Sequence, residues 1–396
     1  MVSIKDRMRE LEPYFIELRH KIHAHPELGM REFKTTELIK NELTKYGIKA
    51  LPNGNDTGVI GILEGKYPGK TIALRADIDA LPVQEMTGLP FASQEDHKCH
   101  ACGHDIHTTT LLATAKLLSE RKESLHGTVK FIFQPAEEIA AGAKSIIENG
   151  FLSDVDAIFG AHTWPEIPGG TIGYKYGAMM AGAAHFDVKI SALGGHAAHP
   201  HKTPDPIVIA AYIIIELQSI VSREIAPLDS AVLTIGKLDA GTASNVIPSS
   251  VTLYGTFRYL LPEVKDKVAG AIKRISTCIA EAHKATAKVN IQIDEGPVIN
   301  QDDLTSLVKE SAETLLGKDN CLELKKASMG SEDFSFYLEH KPGAFFRLGT
   351  TENDENYKRA LHNNELLFSE KAISAGAITE CGIVFLFTDS DINQLK

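Results

Sequence analysis

Residues 71–82 read TIALRADIDALP, an apolar run that leads into two acids and a proline. Further strand-like runs occupy residues 59–63, 129–133 and 157–161. An apolar helical pattern at residues 108–118 lies between the second and third of these four runs. Strands that alternate with helices are typical of a layered α/β fold. We therefore predict a mixed, largely parallel sheet that is sandwiched by helices.

A different order of elements interrupts this pattern in the middle of the chain. From about residue 183 to 295 the runs follow the order strand, helix, strand, strand, helix, strand, which is the split βαβ order of ferredoxin-like domains. After residue 295 the strand-like and helical patterns of the first part of the chain resume. We therefore predict a discontinuous domain of residues 1–182 plus 296–396 and an inserted ferredoxin-like α+β domain of residues 183–295.

The composition argues against several classes of protein. The 396 residues carry 41 Lys and Arg against 52 Asp and Glu, a net charge of −11, which disfavours nucleic acid as a partner. Five cysteines at low density do not suggest a disulfide scaffold. The N-terminus lacks the apolar core of a signal peptide, and the longest apolar run, residues 207–215, is shorter than the ~20 residues that span a membrane. We expect a cytoplasmic protein with no membrane segment.

Ligand-type residues are dense where the predicted strands end. Asp77 and Asp79 follow the first quoted run, at the edge where α/β sheets carry their sites, although a solvated turn would explain them as well. Residues 100–107 read HACGHDIH. The glycine between Cys102 and His104 lets the backbone bend, so that a thiolate and an imidazole can face one ion.

The same segment allows other interpretations. Cys99 and Cys102 form a CxxC pair, but a structural zinc site needs a second pair, and the other three cysteines are isolated. A redox CxxC normally opens a helix of a thioredoxin-like unit, which this pattern does not indicate. Asp105 and His107 are candidates for orienting the ligands through hydrogen bonds. We favour a metal site over a polar loop with chance histidines.

Two further strand ends carry the same types of residue. Glu137 and Glu138 follow the run at 129–133, and a pair of acids allows one to ligate a metal while the other takes a proton from water. An acidic surface turn is the alternative. His162 closes the run at 157–161. A lone histidine is more often structural, but a third strand end with a donor favours a ligand.

A last candidate, His362, lies in a loop context near the C-terminus. Five donors exceed the four of one tetrahedral zinc site. Two divalent ions about 3.5–4 Å apart, bridged by one ligand and a water, would use them all. The sequence therefore predicts a dinuclear site for zinc or manganese, with cobalt and nickel also open. Its candidate ligands are Cys102, His104, Glu138, His162 and His362.

These segments resemble one family over nearly the whole chain. The motifs HAHPEL (23–28), RADIDALP (75–82), HACGHD (100–105) and FQPAEE (133–138) have the order and spacing of its members. The family is that of dinuclear metallo-amidohydrolases related to aminoacylase, carboxypeptidase G and succinyl-diaminopimelate desuccinylase. The most similar branch contains N-acyl amino acid amidohydrolases, hippurate hydrolases and auxin-conjugate hydrolases.

The resemblance implies a role for each matching residue of the first domain. Glu137 matches the family's general base, and Asp79 stands where relatives place an acid that orients the metal site. The metal ligands of the family are matched by Cys102, His104, Glu138, His162 and His362.

The inserted domain resembles the family's lid and dimerisation domain, so the resemblance implies a homodimer through the lid. His196 resembles a histidine that reaches the partner's active site and stabilises the oxyanion, although His199 and His201 lie nearby and compete for this assignment. Asn245 and Arg258 match residues that hold the carboxylate of the substrate.

Two features depart from the relatives. Peptidase branches bridge their metals with an aspartate, whereas this chain offers Cys102, which fits the amidohydrolase branch. Residues 139–143 read IAAGA where relatives often have a glycine run. We expect the second change to stiffen the loop beside the base, and we infer no loss of activity from it.

The expected activity is hydrolysis of the amide bond of a small N-acyl amino acid by metal-activated water. A dipeptidase or aminopeptidase is the alternative, because the chemistry at the metal site is the same and only the pocket differs. A metal-binding protein with a dead site would lack a base or a ligand, and all of the matched positions are present.

Overall fold

A computed structural model describes residues 2–396. Its α-helices are, in chain order, α1 (Ile4–Ala24), α2 (Phe33–Lys45), α3 (His104–Ser119), α4 (Gly142–Glu148), α5 (Pro206–Ser219), α6 (Pro262–Ala282), α7 (Asp302–Leu315), α8 (Phe334–His340) and α9 (Lys371–Phe387). Its strands are β1 (Lys49–Leu51), β2 (Val59–Glu64), β3 (Tyr67–Asp77), β4 (His126–Gln134), β5 (Ala157–Pro168), β6 (Ile172–Tyr174), β7 (Gly177–Met180), β8 (Gly182–Ser191), β9 (Gly195–His196), β10 (Ala231–Ala240), β11 (Val246–Ile247), β12 (Ser250–Tyr259), β13 (Thr286–Glu295), β14 (Val298–Asn300), β15 (Cys321–Glu323) and β16 (Gly343–Thr351).

The described residues divide into two compact units. Unit 1 comprises the residues up to Gly177 together with Ile299–Lys326 and Asp333–Lys396. Unit 2 comprises Ala178–Val298 and Ala327–Glu332. Each unit has its own cluster of buried hydrophobic side chains, so each has a core of its own.

The centre of unit 1 is a sheet with the strand order β1-β2-β4-β3-β5-β16-β6-β15. The four central strands β4, β3, β5 and β16 run parallel. Strands β1, β2 and β6 each pair antiparallel with the neighbour on their inner side. Eight successive residues of β16 are buried, as expected of a strand covered on both faces. The predicted mixed α/β fold with a largely parallel central sheet is confirmed.

The carboxyl ends of these parallel strands meet at one edge of the sheet. Asp77, the last residue of β3, pairs in register with Gln134, the last residue of β4. The neighbouring strand β5 contains His162. The loops that follow β3 and β4 therefore leave the sheet side by side, which brings their acids close to each other and to the histidine.

Helix α3 begins beside the same edge. It packs against α1 and α9 and against strands β3 and β5. Gly103 precedes the helix with a φ of 82°. A Cβ at Gly103 would lie 2.8 Å from the Thr163 side chain, so the left-handed conformation and the close approach both require glycine. This turn carries the chain from Cys102 into the helix at His104 within two residues.

Unit 2 contains a four-stranded antiparallel sheet with the order β10-β12-β8-β13. Along the chain its main elements follow the order β8, α5, β10, β12, α6, β13, which is the split βαβ order. The buried side chains of α5 include Ile209, Ile213 and Leu217, spaced four residues apart. This spacing places them on one face, which packs into the core of the unit.

One helical stretch, Pro206–Glu224, is long and apolar enough by length and composition to cross a membrane. Of this stretch 33 % is buried inside the protein. A single such helix is weak evidence for a membrane protein, because core helices of soluble proteins pass the same test. The cytoplasmic location expected from the sequence stays a prediction.

A buried acid joins two of the helices of unit 1. Glu380 of α9 is 3 % exposed and accepts a hydrogen bond from the Thr114 hydroxyl of α3. Burial raises the pKa of Glu380 to about 8. The folded protein therefore holds a proton on Glu380 at a pH where the unfolded chain, with an ordinary carboxyl pKa, has lost it.

We expect Glu380 to lower the stability of the protein as the pH rises. A carboxyl whose pKa is higher in the folded state costs up to about 1.4 kcal/mol of stability per pH unit between its unfolded and folded pKa values. Glu380→Gln keeps a polar partner for Thr114 and removes the titration. The melting temperature of the variant minus that of the wild type should therefore increase from pH 5 to pH 8 in thermal unfolding. A difference that is constant over this range would contradict the prediction.

Candidate metal centre

Cys102 lies at the centre of a cluster of metal-ligand side chains in unit 1. Its Sγ atom is 3.3 Å from Nε2 of His162. The ligand atoms of Cys102, His104 and His162 lie within 4.8 Å of one another, and so do those of Cys102, Glu138 and His362. Because Cys102 belongs to both groups, the cluster has the layout of two adjoining sites that share one thiol. The five predicted donors are therefore brought together.

Hydrogen bonds orient two of the imidazoles toward the thiol. His104 Nδ1 lies 3.3 Å from an oxygen of Asp79, and His162 Nδ1 donates to the carbonyl oxygen of Thr163 over 2.7 Å. In each ring the Nε2 atom is left for another partner. His104 Nε2 is buried and has no hydrogen-bond partner among residues 2–396. Metal-binding histidines are commonly held in this way through the nitrogen that does not bind the metal.

Asp79 connects two loops of the cluster. It is 1 % exposed, and the oxygen that does not contact His104 accepts a hydrogen bond from the backbone N–H of Glu138 at 3.1 Å. One carboxylate therefore holds the start of α3 and the loop after β4 at a set distance. This arrangement is compatible with the orienting role that the sequence resemblance implies for Asp79.

His362 reaches the cluster from a loop near the C-terminus. Its N–H donates to the carbonyl oxygen of Ala101 at 2.9 Å, and its Nε2 lies 3.5 Å from an oxygen of Glu138. The residue has a φ of 67°, a left-handed conformation that is uncommon for a side chain with a Cβ. The imidazole is 52 % exposed, so it lies at the open side of the cluster.

Glu137 lies beside the cluster without belonging to the shared thiol groups. One of its carboxylate oxygens lies within 4.8 Å of the ligand atoms of His104 and Glu138. The residue before it, Ala136, has a φ of 55°. A carboxylate next to the ligands can accept a proton from a water held among them, which is the position that a general base requires.

Sequence reasoning named Asp77 and His107 as separate candidates but did not predict that they are partners beside the cluster. Asp77 accepts from Nδ1 of His107 at 2.5 Å, and Nε2 of the same ring accepts from the backbone N–H of Thr163 at 2.7 Å. Burial alone would raise the pKa of Asp77, but the His104 and His107 imidazoles and the Arg75 guanidinium hold it well below its usual range. The sequence signal for Asp77 is its place in the motif RADIDALP, whose two acids come shortly before the segment that carries Cys102 and His104.

Asp105 orients the N-terminal helix α1 rather than a ligand. Its carboxylate accepts from Nε of Arg19 at 2.6 Å and lies 2.8 Å from Nδ1 of His23. All three side chains are buried. The expectation that Asp105 orients a metal ligand directly is therefore replaced by a role in anchoring α1 to the start of α3.

The donors of the cluster fit divalent metal ions. Thiolate, imidazole and carboxylate are the ligand types of zinc and related first-row ions. Burial raises the pKa of the Cys102 thiol well above its usual value, so without a bound cation the thiol keeps its proton at neutral pH. A thiolate there needs a nearby cation for compensation. The buried Nε2 of His104 likewise makes no hydrogen bond within residues 2–396, and an oxygen of Glu138 lies 3.8 Å from it.

The three predicted residues outside the cluster lie in unit 2. Strand β9 pairs with β11 so that His196 faces Val246, and the carbonyl oxygen of Asn245 accepts from the N–H of Ala197 at 3.1 Å. His196 and Asn245 are therefore neighbours. Arg258 lies on β12, and its Nη1 donates to the Ser331 hydroxyl at 3.0 Å.

The His196 ring has a defined proton position. Its Nδ1 accepts a hydrogen bond from the backbone N–H of Ala198 at 3.0 Å, so the neutral ring carries its proton on Nε2. The side chain is exposed. The rings of His196 and His199 have centroids 5.6 Å apart, and those of His199 and His201 are 6.0 Å apart. The hydrogen bond favours His196 as the donor among the three.

Residues 73–382 of the chain match the peptidase family M20/M25/M40. The chain is 44 % identical over 340 residues to an N-acetyl-L-cysteine deacetylase of Bacillus subtilis, covering 86 % of this chain and 81 % of the relative. It is 38 % identical over 370 residues to a hippurate hydrolase of Campylobacter jejuni, covering 93 % of this chain and 95 % of the relative.

A solved structure has the same fold. The YXEP protein of Bacillus subtilis, described as a dinuclear metal-binding peptidase of the M20 family, superposes with a TM-score of 0.86. It is 36 % identical in sequence, and the match covers 97 % of this chain and all of that one.

Substituting Cys99 and Cys102 one at a time distinguishes a metal site that shares the Cys102 thiol from a CxxC site. Both cysteines are buried. Cys102→Ala removes the donor common to both groups, so we expect the bound metal to fall from about two ions per chain to one or fewer. Cys99→Ala should keep the full complement, because Cys99 Sγ belongs to none of the clusters of potential ligands among the described residues. Elemental analysis of both purified variants measures the effect. Metal loss from the Cys99 variant would instead support a CxxC site.

Proposed function

This chain belongs to the peptidase family M20/M25/M40, and we propose that it hydrolyses the amide bond of N-acyl amino acids. The observation that carries the proposal is the group of five donors around Cys102 with a second carboxylate, Glu137, beside it. The deacetylase and hippurate hydrolase relatives act on substrates of this class by name. We propose two divalent ions as the cofactor, zinc or manganese, held by Cys102, His104, Glu138, His162 and His362.

Glu137 is the proposed proton carrier of the reaction. Bound divalent ions acidify water and polarise a carbonyl oxygen. The Glu137 carboxylate then takes a proton from the attacking water and passes it to the amide nitrogen that leaves. This requires a carboxylate that binds no ion itself, and the adjacent Glu138 serves as the ligand instead. Asp79 keeps the two loops in place through its bonds to His104 and Glu138.

Unit 2 supplies the proposed contacts to the substrate. His196, with its proton on Nε2, donates to the oxygen of the amide as negative charge develops there. The Arg258 guanidinium pairs with the free carboxylate of the amino acid, which accepts two parallel hydrogen bonds from such a group. The Asn245 amide donates to the same carboxylate. We propose that residues 183–295 form the lid and dimerisation domain and that residues 1–182 plus 296–396 form the catalytic domain.

A comparison of acylated amino acids with free dipeptides tests the function. With either ion present, we expect N-acetyl and N-benzoyl amino acids to be cleaved at least about tenfold faster than dipeptides that carry the same C-terminal residue, because a free amine needs a carboxylate partner. Glu137→Gln tests the proposed base. This variant should retain its metal while kcat falls by about 10²–10⁴. Preference for the dipeptides would identify a peptidase. Unchanged kcat in the variant would exclude Glu137 as the base.

We propose that the chain forms a homodimer through unit 2. Helix α5 exposes Ile207, Val208, Tyr212 and Ile215 to solvent, and Ile215 is 69 % exposed. Strand β10 is an edge strand of its sheet and leaves its outer backbone groups unpaired within that sheet. An exposed apolar helix face beside a free edge is typical of a surface that a second protein chain covers.

A charge on the exposed helix face tests the dimer. We expect Ile215→Asp to shift the protein from dimer to monomer in sedimentation velocity, because burying an unpaired carboxylate in an interface is costly. Phe33→Asp is the matched control, since Phe33 is an exposed apolar residue of unit 1, with 48 % of its surface exposed. This variant should stay dimeric. A wild-type protein that is monomeric and active would exclude the arrangement.

A further inference from the structure

Glu32 is a buried acid that no step of the proposed reaction uses. It stands at the N-cap position of helix α2, where Ser, Thr, Asp and Asn side chains commonly accept from the free N–H groups of the helix. Glu32 makes no such cap bond. Its surface is 0 % exposed, because the side chain turns inward toward the loops at the strand ends.

The Glu32 carboxylate bonds two separate loops. One oxygen accepts from the Thr57 hydroxyl at 2.7 Å, and the other accepts from the backbone N–H of Ala136 at 2.9 Å. Among the described residues no Lys, Arg or His nitrogen forms an ion pair with it. A buried carboxylate without a cation costs stability. Burial accordingly raises the pKa of Glu32. A group that is costly to bury and is bonded in two directions is best explained by what its bonds hold in place.

The Ala136 peptide is the strained partner of this bond. Its φ of 55° is a left-handed conformation that is unfavourable for a residue with a Cβ. Its carbonyl oxygen accepts from the N–H groups of Ala141 and Gly142 at 3.2 and 3.3 Å. Residue 136 is therefore held at its carbonyl oxygen by the N–H groups at the start of α4 and at its own N–H by Glu32.

The segment that carries Glu32 is in close contact with Ala136. A Cβ on Gly29 would lie 3.2 Å from the Cα and the Cβ of Ala136 and 3.5 Å from an oxygen of Asp79. Residues 27–32 thus pack tightly against the loop after β4. Movement of this segment would change the direction in which the next residue, Glu137, leaves the loop.

We propose that Glu32 is a positioning residue, which holds the Ala136 peptide in its left-handed conformation and thereby aims the Glu137 carboxylate. The inference rests on the proposed role of Glu137 as the base. In this proposal Glu32 binds neither the substrate nor the ions. It acts through one hydrogen bond to the backbone of the residue that precedes the base.

Two substitutions at this position separate positioning from simple packing. Glu32→Ala removes the acceptor of the Ala136 N–H. We expect kcat to fall at least about tenfold, as for small misplacements of catalytic groups, with KM within about threefold and the metal content unchanged. Glu32→Gln keeps an amide oxygen that accepts from the same N–H, so it should restore kcat to within about threefold of the wild type.

Two control variants distinguish this effect from a loss of stability. Thr57→Val removes the other bond of the carboxylate and should leave kcat within about threefold, because the Ala136 bond persists. Glu380→Gln changes a buried glutamate that bonds a hydroxyl elsewhere in unit 1 and should also leave kcat unchanged. If Glu32→Ala does not fold, Glu32→Asp replaces it, since the shorter side chain withdraws the carboxylate from Ala136 by one methylene.

Hydrogen exchange provides a readout that is independent of activity. In the metal-loaded wild-type protein the Ala136 amide should be protected, and the amides of residues 136–142 should exchange faster in Glu32→Ala but not in Glu380→Gln. Unchanged exchange in this segment, or a kcat in Glu32→Ala or Glu32→Asp equal to that of the wild type, would overturn the inference. If the wild type cleaves no N-acyl amino acid, the proposed function fails while the exchange result still decides whether Glu32 holds the peptide.

Discussion

The Asp79 carboxylate is the contact on which the candidate metal centre depends. One of its oxygens contacts His104 at the start of α3, and the other accepts from the N–H of Glu138 in the loop after β4. Both loops leave the carboxyl edge of the parallel strands, but nothing in the sheet sets how far apart they come to rest. A carboxylate that is 1 % exposed must have its oxygens bonded, so both loops are constrained to reach it.

The same constraint recurs in the acids around the centre. Asp77 is bonded to His107 and Arg75, Asp105 to Arg19 and His23, and Glu32 to two loops. Each of these buried acids joins segments that are far apart in the chain. Burying so many charges costs stability, and cheaper apolar packing would suffice for a structural core. Their concentration at one edge of the sheet is typical of a site where the direction of each side chain matters.

Part of this arrangement could be predicted and part could not. The helical pattern places the start of α3 near residue 108, whereas the helix begins at His104. The polar residues HDIH are typical of a loop by composition, and they become helical because Asp105 and His107 find buried partners. The sequence named both Asp77 and Asp79 as candidates at this edge, and the family resemblance gave a role to Asp79 only. Glu32 carries no local signal, because its partners Thr57 and Ala136 lie in other segments.

Short elements also lie beyond the reach of sequence patterns. Strands β6 and β15 have three residues each, so they complete barely one alternation of side chains. Helix α8 has seven residues, which is two turns. Such elements form because their neighbours in the sheet and the core provide partners. Local pattern is too weak to specify them.

By itself, the sequence determined the layered α/β fold and the family and supplied the candidate donors, because hydrophobic periodicity, short motifs and ligand-type residues are local properties of a chain. Only the tertiary structure decided that Cys102 is shared by two groups of donors, that His196 carries its proton on Nε2, and that Ala136 is held in a left-handed conformation by Glu32. The first and the third depend on contacts between residues far apart in the chain, and the second depends on the local turn that brings the Ala198 N–H to the ring. Distances and hydrogen-bond directions exist only once the strands and loops have packed against one another.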